Sequence, residues 1–555
     1  MHSTSFFTDK SFDCYIDEDL VAYCKDAQSF NRRYCFEDAM QYLKDTGRER
    51  IGILYGLRRT GKTVLMQQLA MQHADRSVYI ICNASKTLLS DVLNKIRELK
   101  TQGYKYFYVD EITFCSDFID IINLLPPLAG SDCRIVCAGT DSFGFILARH
   151  YLYDRTYMIH TTYISYKEYT ELVGGTIDDY IHFGGTFLKG RAAKDKKEII
   201  APYILNKDIR EYIDTSIVSN LLHSVERLSE YENLAKYEPL VQVSEMNMLR
   251  EMITLAVNRA GFSFAAKQLH SVVSAKDIAH ASRVLSRRLV DWKQGVYLPS
   301  EQQLTKPQLE ELELAIQILN DEDFIAAFWD SICIQTPRLF DPITYIQKTL
   351  NLLQSYLFEL DVLYSLCEVQ FTLANNEIIA RQNNVVSFSQ PGLLYGYTKQ
   401  LLAMVTPTVH DTFVQEIVTS KIETISLGEI LEVVVATAVR KELPEGQYYI
   451  AKCKFNLQQT GEYDLAVCDM QNKHSTIIEV KHSDKFVPEQ AKHLWNKQFQ
   501  TAFETSLPKV TRRIILYAGK SEILSMEDFP KIEYINVSDF LTDIPEVLDL
   551  SLIHI

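Results

Sequence analysis

The sequence predicts an α/β protein in which two parts that contain a β-sheet flank a helical middle region. Between residues 50 and 189, short apolar runs alternate with helix-compatible stretches, which is typical of a parallel sheet covered on both faces. Residues 190–420 carry long helical patterns, and residues 421–555 return to mixed strands and helices. Together with a polar to amphipathic segment 1–49, these observations divide the chain into four parts.

The composition is that of a globular protein with several hydrophobic cores. Of the 555 residues, 47% are hydrophobic and 23% are charged, which excludes a disordered chain. The formal net charge of −15 argues against a uniformly basic nucleic-acid binder and leaves room for a local basic groove. No apolar run is long enough for a membrane span. Scattered cysteines and a beginning without an apolar signal segment predict reduced thiols and a cytoplasmic location.

The predicted parallel sheet has five short apolar strands. Helix-compatible stretches separate them, and a glycine-rich loop follows the first strand. Residues 1–49 are expected to form a helical extension, with a helix near residues 36–43 and no chemistry of their own. The predicted strands are Ile51–Tyr55, Val78–Cys82, Tyr104–Val109, Cys133–Ala138 and Thr156–His160.

A phosphate-binding loop is predicted immediately after the first strand. Residues 56–63 read G-L-R-R-T-G-K-T and match the pattern G-x-x-x-x-G-K-[ST] between a strand and a helix. Lys62 would reach the β- and γ-phosphates of a nucleotide, and Thr63 would offer its hydroxyl to Mg²⁺. The N-terminus of the following helix would point at the same anion. The predicted nucleotide-binding residues of the loop are Gly56, Arg58, Arg59, Thr60, Gly61, Lys62 and Thr63.

Two further strand ends carry polar residues that suit a nucleotide site. Asp110 and Glu111 end an apolar strand, where Asp110 is placed to hold Mg²⁺ and Glu111 to polarise the attacking water. An acidic loop that only caps the strand is the weaker alternative. Thr140 follows the next apolar strand and is a candidate γ-phosphate sensor. A helix N-cap at Asp141 or Ser142 explains the same residues equally well.

These residues give the chain a resemblance to prokaryotic AAA-type ATPases that carry a C-terminal nuclease-like domain. The loop of that family has an arginine at the position of Arg58. A later arginine and a P-L-S-F-x-E-F signature of the family are similar to Arg155 and the segment Tyr163–Tyr169. A tyrosine replaces the proline of the signature, and Asp154 replaces a glycine. The resemblance implies an AAA-type domain over residues 50–189 that uses ATP and Mg²⁺.

The resemblance also implies assembly and a helical lid. AAA-type sites are often completed by an arginine from a neighbouring subunit, and Arg149 and Arg155 are the candidates here. A structural ion pair is an equal alternative for these arginines. A homo-oligomer or a partner protein is therefore expected. Residues 190–420 would contain a winged-helix-like region, with candidate halves Met246–Val273 and Pro342–Leu363.

A second group of charged residues lies in the C-terminal part. Asp464 sits in an apolar strand, and Glu479 and Lys481 alternate in the next one, so a hairpin would bring the three side chains together. Asp464 and Glu479 could hold a divalent cation, and Lys481 could help to activate water for attack on phosphorus. This is the D-x(n)-E-x-K pattern of PD-(D/E)XK nucleases, and Glu432 resembles their additional acid on an upstream helix. Residues 421–555 would then form a restriction-endonuclease-like domain. A plain ion pair between Glu479 and Lys481 is the competing interpretation.

Two functions are compatible with these residues. In the first, ATP hydrolysis controls a metal-dependent nuclease-like domain that acts on DNA. Its catalytic residues would be Glu111, Glu432, Asp464, Glu479 and Lys481. In the second, the chain is a nucleotide-dependent switch, and an inactive nuclease-like fold binds nucleic acid or protein. The complete set of charged C-terminal residues favours the first function, whereas the net charge of −15 favours the second.

Overall fold

The computed structural model of the chain describes most of both sheet-containing parts and a portion of the middle region. The described residues are 12–45, 49–83, 87–130, 132–139, 142–185, 187, 239–240, 252, 273–298, 301–324, 327, 343–374, 377–444 and 446–548. Thr140 and nearly all of the candidate half Met246–Val273 lie outside them.

A six-stranded sheet forms the N-terminal part. Its strands are β1 (Phe12–Tyr15), β2 (Ile51–Tyr55), β3 (Ser77–Cys82), β4 (Tyr106–Asp110), β5 (Arg134–Ala138) and β6 (Thr156–His160). Their order is β1-β3-β4-β5-β2-β6, and β2 to β6 run parallel, which confirms the predicted parallel sheet. The carboxyl ends of parallel strands meet at one edge of a sheet, where open α/β sheets bind their ligands.

Helices cover both faces of this sheet. They are α1 (Asp17–Cys24), α2 (Cys35–Lys44), α3 (Lys62–Ala70), α4 (Leu89–Thr101), α5 (Phe118–Ile121), α6 (Ser142–Leu152), α7 (Tyr166–Val173) and α8 (Ile177–Phe183). Helices α4, α5 and α6 contribute to one core, and α1, α2 and α3 contribute to the other. Within β2, Ile53 belongs to the first core and Leu54 to the second. Burial on both faces explains why these strands read as continuous apolar runs.

The segment before residue 46 was predicted to be a helical extension, but it also adds a strand to the sheet. β1 pairs antiparallel with β3, with Phe12 opposite Cys82 and Tyr15 opposite Tyr79. A strand of four residues is too short for an alternating pattern to identify it in a sequence. The N-terminal segment is therefore built into the same sheet as the predicted phosphate loop.

An eight-stranded mixed sheet forms the C-terminal part. Its strands are β7 (Leu363–Ala374), β8 (Glu377–Phe388), β9 (Tyr448–Asn456), β10 (Thr460–Asp469), β11 (His474–Val480), β12 (Lys509–Tyr517), β13 (Glu522–Leu524) and β14 (Ile532–Asn536). Their order is β13-β14-β12-β11-β10-β9-β7-β8, and β9, β10 and β11 are successively antiparallel. The helices of the middle and C-terminal parts are α9 (Val273–Lys293), α10 (Lys306–Leu319), α11 (Ile343–Glu359), α12 (Pro391–Val405), α13 (Thr412–Glu442), α14 (Lys497–Glu504), α15 (Val537–Thr542) and α16 (Ile544–Val547).

The region up to residue 420, predicted as helical, contains the hairpin β7–β8. Helix α11 ends at Glu359, and Asp361 takes a left-handed conformation with a φ of 52° before β7 begins. The apolar run that follows suits a helix as well as a strand, so periodicity could not separate the two. β7 pairs in parallel with β9, and the C-terminal sheet therefore begins before the predicted boundary at 421.

Helix α13 contacts both parts of the molecule. It begins after Asp411, whose side chain accepts hydrogen bonds from two N–H groups of the first turn. Near its end, the Lys441 ammonium lies 2.7 Å from the carboxylate of Asp361. The same carboxylate lies 2.8 Å from the ring of His160, the last residue of β6. In the part of the chain that the structure describes, no helix is long and apolar enough to cross a membrane.

Candidate functional site

The predicted phosphate loop forms a tight turn between β2 and α3. Gly56 has a φ of 140° and Gly61 a φ of 85°, values that favour glycine. A Cβ at Gly56 would lie 2.6 Å from the Thr161 hydroxyl and 2.8 Å from the Thr162 hydroxyl. Close packing against the residues after β6 and the backbone conformation therefore both require glycine at this position.

Hydrogen bonds fix the shape of the loop. The Thr60 hydroxyl donates to the Leu57 carbonyl at 2.9 Å and lies 2.8 Å from the Thr161 hydroxyl. The Leu57 N–H donates to the Thr162 hydroxyl at 3.1 Å. The Thr60 side chain is buried in these contacts, so the predicted contact of Thr60 with a nucleotide would come from its backbone N–H. The Thr60 hydroxyl therefore contributes to the site by holding the loop.

Arg33 is a site residue that the sequence did not reveal. Its buried guanidinium donates to the carbonyl oxygens of Thr60 and Tyr163 and forms an ion pair with Glu168, with Nε and Oε1 2.5 Å apart. A buried charge is costly unless it is paired, so this arrangement ties the loop to the N-terminal segment and to α7. Its carboxylate partner lies 135 residues away, and no local pattern distinguishes Arg33 from a surface arginine.

Lys62 is turned back onto its own loop. Its ammonium donates to the carbonyl of Gly56 at 2.9 Å and to that of Leu57 at 2.7 Å. Burial lowers the pKa of Lys62 to about 8, although the nearby carboxylates of Glu111 and Asp110 oppose the shift. A polyphosphate would offer this ammonium anionic partners in place of two neutral carbonyls, and such hydrogen bonds are stronger.

The two acidic residues lie where β4 ends, beside the loop. Asp110 is buried, its Oδ2 accepts from the Tyr79 hydroxyl at 2.8 Å, and its Oδ1 accepts from the Glu111 N–H at 3.0 Å. A carboxylate oxygen can accept more than one bond. The Asp110 carboxylate and the Thr63 hydroxyl are hard oxygen donors of the kind that Mg²⁺ prefers, so the residues present fit this ion.

A cavity of about 320 Å³ lies beside the loop. It joins charged groups to apolar side chains of the N-terminal segment, α3 and α7. Its charged lining residues are Arg33, Arg58, Arg59, Lys62 and Glu111, and its apolar ones are Phe30, Val64, Leu65, Leu172, Val173 and Phe187. Small-molecule sites measure roughly 300–1,000 Å³ and combine apolar walls with a few polar groups. The cavity therefore suits a ligand with an anionic end and an apolar end.

Five of the predicted nucleotide-site residues line this cavity, namely Arg58, Arg59, Gly61, Lys62 and Thr63, whereas Gly56 and Thr60 lie elsewhere in the loop and Asp110 at the end of β4. Thr140 lies outside the described residues. Arg155 is exposed and directly precedes β6, whereas the loop follows the carboxyl end of the neighbouring parallel strand β2. The structure thus does not bring Arg155 to the phosphate loop of its own chain. Arg149 is exposed on α6, and a role of either arginine in a neighbouring subunit stays a prediction.

The sheet, the loop and the strand ends agree with one known domain. Residues 48–170 match the AAA domain family. The match contains the phosphate loop, Asp110 and Glu111, and it covers less than a quarter of the 555-residue chain. It identifies an AAA-type ATPase domain and implies ATP binding. No curated protein matched the chain in a sequence search.

Outside the AAA domain, three of the predicted C-terminal residues lie in contact. β10 and β11 form the antiparallel pair that the sequence analysis assumed. The Lys481 ammonium lies 2.7 Å from Glu479 Oε2 and 3.4 Å from Asp464 Oδ2. The Val480 N–H donates to the same Asp464 oxygen at 2.8 Å. The register with β9 shifts between Tyr463 and Ala466, and Asp464 lies in this irregular stretch.

Glu479 is buried with one oxygen unsatisfied. Its side chain is 2% exposed, and burial together with the negative charge of Asp464 raises the pKa of Glu479. Its Oε1 lies 3.7 Å from His493 Nδ1, which is too long for a hydrogen bond. No hydrogen-bond partner for Oε1 occurs among the described residues. A buried acceptor of this kind fits a cation ligand.

Glu432 lies next to a lysine that the sequence analysis did not single out. Lys452 of β9 places its ammonium 2.7 Å from Glu432 Oε2 and 3.4 Å from Glu462 Oε2. Burial and the negative charge of Asp464 raise the pKa of Glu432 to about 8, although Lys452 opposes the shift. Glu432 and Asp464 therefore belong to one electrostatic cluster. Lys452 and Lys454 alternate along β9, and only the fold shows which of the two lies beside Glu432.

The metal-binding capacity of the cluster rests on two carboxylates. Across the described ranges, no group of three or more His, Cys, Asp and Glu side chains is arranged to hold a metal ion. Asp464 and Glu479 share the contact with Lys481 and are the two oxygen ligands that the cluster could supply. Two carboxylates with waters are a sufficient protein contribution for Mg²⁺, which keeps several waters when bound.

Proposed function

We propose that the AAA domain hydrolyses ATP with the help of Mg²⁺. Lys62 would leave the carbonyls of its loop and contact the β- and γ-phosphates. Thr63 and Asp110 would hold the ion, and Glu111 would polarise the attacking water. One observation carries the proposal: Lys62 and Glu111 line the same cavity, and both residues belong to the segment that matches the AAA domain.

The substitution Glu111→Gln separates hydrolysis from binding. The amide keeps the size of the side chain but cannot polarise water as a carboxylate does, so phosphate release should fall by about a hundredfold or more while nucleotide affinity persists. Glu98→Gln, an exposed carboxylate on α4, is the control. A rate of phosphate release in Glu111→Gln equal to that of the wild type would remove Glu111 from the mechanism.

We further propose that the C-terminal cluster cleaves phosphodiesters with a metal ion under control of the nucleotide state. Two lysines face four carboxylates, and burial with the charge of Asp464 raises the pKa of two of them, so a divalent cation would favour the ionised form of these carboxylates. The carboxylates are Glu432, Glu462, Asp464 and Glu479, and the lysines are Lys452 and Lys481. Bound Mg²⁺ or Mn²⁺ would polarise the phosphodiester and acidify a water. Lys481 would orient that water and the phosphate.

Plasmid DNA incubated with Mg²⁺ or Mn²⁺, with and without ATP, tests this second function. Asp464→Asn should abolish nicking, because an amide is a poor ligand for a hard cation. Asp469→Asn on the same strand is the control, since the Asp469 carboxylate only accepts hydrogen bonds within the turn that follows β10. If the wild type never cleaves but binds DNA in an ATP-dependent way, the chain is a nucleotide-dependent switch. The lysine pairs of the cluster favour that alternative, because they already neutralise part of its charge.

A further inference from the structure

Tyr79 contacts the residue that would hold magnesium in the AAA domain. Its ring is fully buried, and its hydroxyl donates to Asp110 Oδ2 at 2.8 Å. β3 and β4 pair in parallel with Ile81 opposite Asp110, so the Tyr79 side chain extends along the neighbouring strand to the carboxylate. The Glu111 N–H donates to the other carboxylate oxygen at 3.0 Å. Both oxygens of Asp110 therefore have a fixed donor, and the carboxylate has a fixed orientation.

Aromatic residues from the N-terminal segment hold the Tyr79 ring. The ring of Tyr23 in α1 lies 5.3 Å from that of Tyr79, at an interplanar angle of 50°. Tyr15 of β1 stacks on Tyr23 with centroids 4.1 Å apart. The backbone of Tyr15 also pairs with that of Tyr79. The strand and helix that precede the phosphate loop therefore restrict the position of the Tyr79 hydroxyl.

We propose that Tyr79 is a positioning residue for Mg²⁺, because its hydroxyl orients the Asp110 carboxylate toward the ion. The proposal rests on the proposed ATPase site. Residues that hydrogen-bond a metal ligand fix its geometry, and their loss typically costs about 10–100-fold in metal affinity. The segment 12–24 thereby supports the magnesium side of the site, whereas Arg33 supports the phosphate loop.

The test compares nucleotide affinity with and without Mg²⁺ in Tyr79→Phe. This substitution removes the hydroxyl and keeps the ring in the aromatic stack. A fluorescent ADP analogue is titrated against the full chain in excess Mg²⁺ and again in EDTA. The dissociation constant in EDTA divided by that in Mg²⁺ measures the contribution of the ion. We expect this ratio to fall about tenfold in Tyr79→Phe, with the affinity in EDTA unchanged.

Tyr108→Phe is the matched control. Tyr108 is buried on the adjacent strand, and its hydroxyl donates to the Leu69 carbonyl at 3.1 Å, away from Asp110. It should keep the wild-type ratio, and an equal loss in Tyr108→Phe would overturn the proposal by showing a general packing effect. An unchanged or larger ratio in Tyr79→Phe also overturns it. A wild-type chain that binds no nucleotide instead overturns the proposed ATPase site, so the two failures are distinguishable.

Discussion

The phosphate loop and the C-terminal cluster satisfy their charges in opposite ways. In the loop, Lys62 donates to two neutral carbonyls beside a cavity of about 320 Å³. In the cluster, Lys452 and Lys481 sit directly between carboxylates. The first site therefore gains strong new partners when an anion arrives. In the second site the carboxylates already pair with lysines. A bound cation would therefore stabilise only the carboxylate oxygens that the lysines do not contact.

This contrast predicts different dependences on ligands. Nucleotide binding should depend strongly on Lys62, because a polyphosphate would offer its ammonium anionic partners in place of two neutral carbonyls. The cluster should hold together without metal and become more stable with it, because Glu479 Oε1 is buried without a hydrogen-bond partner among the described residues.

Lys62→Ala should weaken binding of Mg-nucleotide by about a hundredfold or more, since several charge-assisted hydrogen bonds are lost together. Isothermal titration measures the affinity. Lys100→Ala is the control, because Lys100 lies on α4 and contacts Asp132 at 3.3 Å on the surface. Wild-type affinity in Lys62→Ala would show that the phosphates bind elsewhere and would remove the contrast between the two sites.

Lys481→Ala should destabilise the chain by about 1–3 kcal/mol in EDTA, because it leaves the buried Glu479 carboxylate without its ammonium partner. The lower part of that range is expected, since the Lys481 side chain is 30% exposed and solvent screens the pair. Mn²⁺ should restore much of the loss, because a bound cation replaces the missing charge. Melting curves in EDTA and in Mn²⁺ measure both effects.

A second lysine pair in the same sheet controls for the loss of any ion pair. Lys454 of β9 lies 2.6 Å from Glu368 and has an exposure similar to that of Lys481. It is opposite Glu462 in the β9–β10 pair, but its ammonium pairs with Glu368 rather than with Asp464 or Glu479. Lys454→Ala should also lower the melting temperature, but Mn²⁺ should not restore it. Suppose that Mn²⁺ does not change the melting temperature of the wild type and that Lys481→Ala lowers it strongly. This result would support a plain ion pair between Glu479 and Lys481 and the switch function.

Local signals account for what the sequence predicted correctly. The five parallel strands, the glycine loop and the acidic end of β4 depend on short patterns that the fold preserves. The antiparallel pair β10–β11 follows from alternation in two adjacent strands. The hairpin β7–β8 has no such local signal, since the mostly apolar run Val362–Leu366 is compatible with a helix as well as with a strand. Only its pairing with β9, far along the chain, makes it part of the sheet.

The residues that support the sites were missed for the same reason. Arg33 becomes informative only beside Glu168, and Tyr79 only beside Asp110. Neither pair has a fixed spacing that a helix or strand would impose. The loop pattern likewise did not show that the Thr60 hydroxyl donates to the Leu57 carbonyl and lies against the Thr161 hydroxyl, because Thr161 is distant in the sequence. Sequence motifs identify residues that lie close together in a site, whereas contacts between distant segments determine the role of each side chain.

The pH dependence of nucleotide affinity should reveal the unusual state of Lys62. Its pKa of about 8 means that the ammonium loses its proton progressively above pH 8 in the free protein, and bound phosphates should raise that pKa again. Affinity should therefore fall by up to about tenfold per pH unit above 8. Binding at pH 9 should take up about one proton, measured by titration in buffers of different ionisation enthalpy. A flat affinity between pH 7.5 and about 9.5 would contradict a lowered pKa of Lys62 in the free protein.

Asp361→Asn should have the smallest effect on stability. It tests whether the contacts of Asp361 couple the nucleotide site to the C-terminal cluster. Asp361 contacts His160 at the end of β6 and Lys441 on α13, the helix that also carries Glu432. Asparagine tolerates the φ of 52°, so the substitution removes the charge and leaves the backbone unchanged. The expected loss at neutral pH is about 1 kcal/mol of unfolding free energy, because the pair is partly exposed.

The same contact has a defined dependence on pH. Burial alone would raise the pKa of Asp361, but the hydrogen bond from His160 and the charge of Lys441 lower it below its usual value. A lowered carboxyl pKa stabilises the fold above the unfolded-state value, and this stabilisation disappears as the pH falls through the folded-state value. The difference between wild type and Asp361→Asn should therefore shrink in acid. Asp132→Asn, in an exposed pair with Lys100, should show almost no difference at either pH. If ATP alters the Mn²⁺-dependent melting shift equally in wild type and Asp361→Asn, this contact does not connect the two sites.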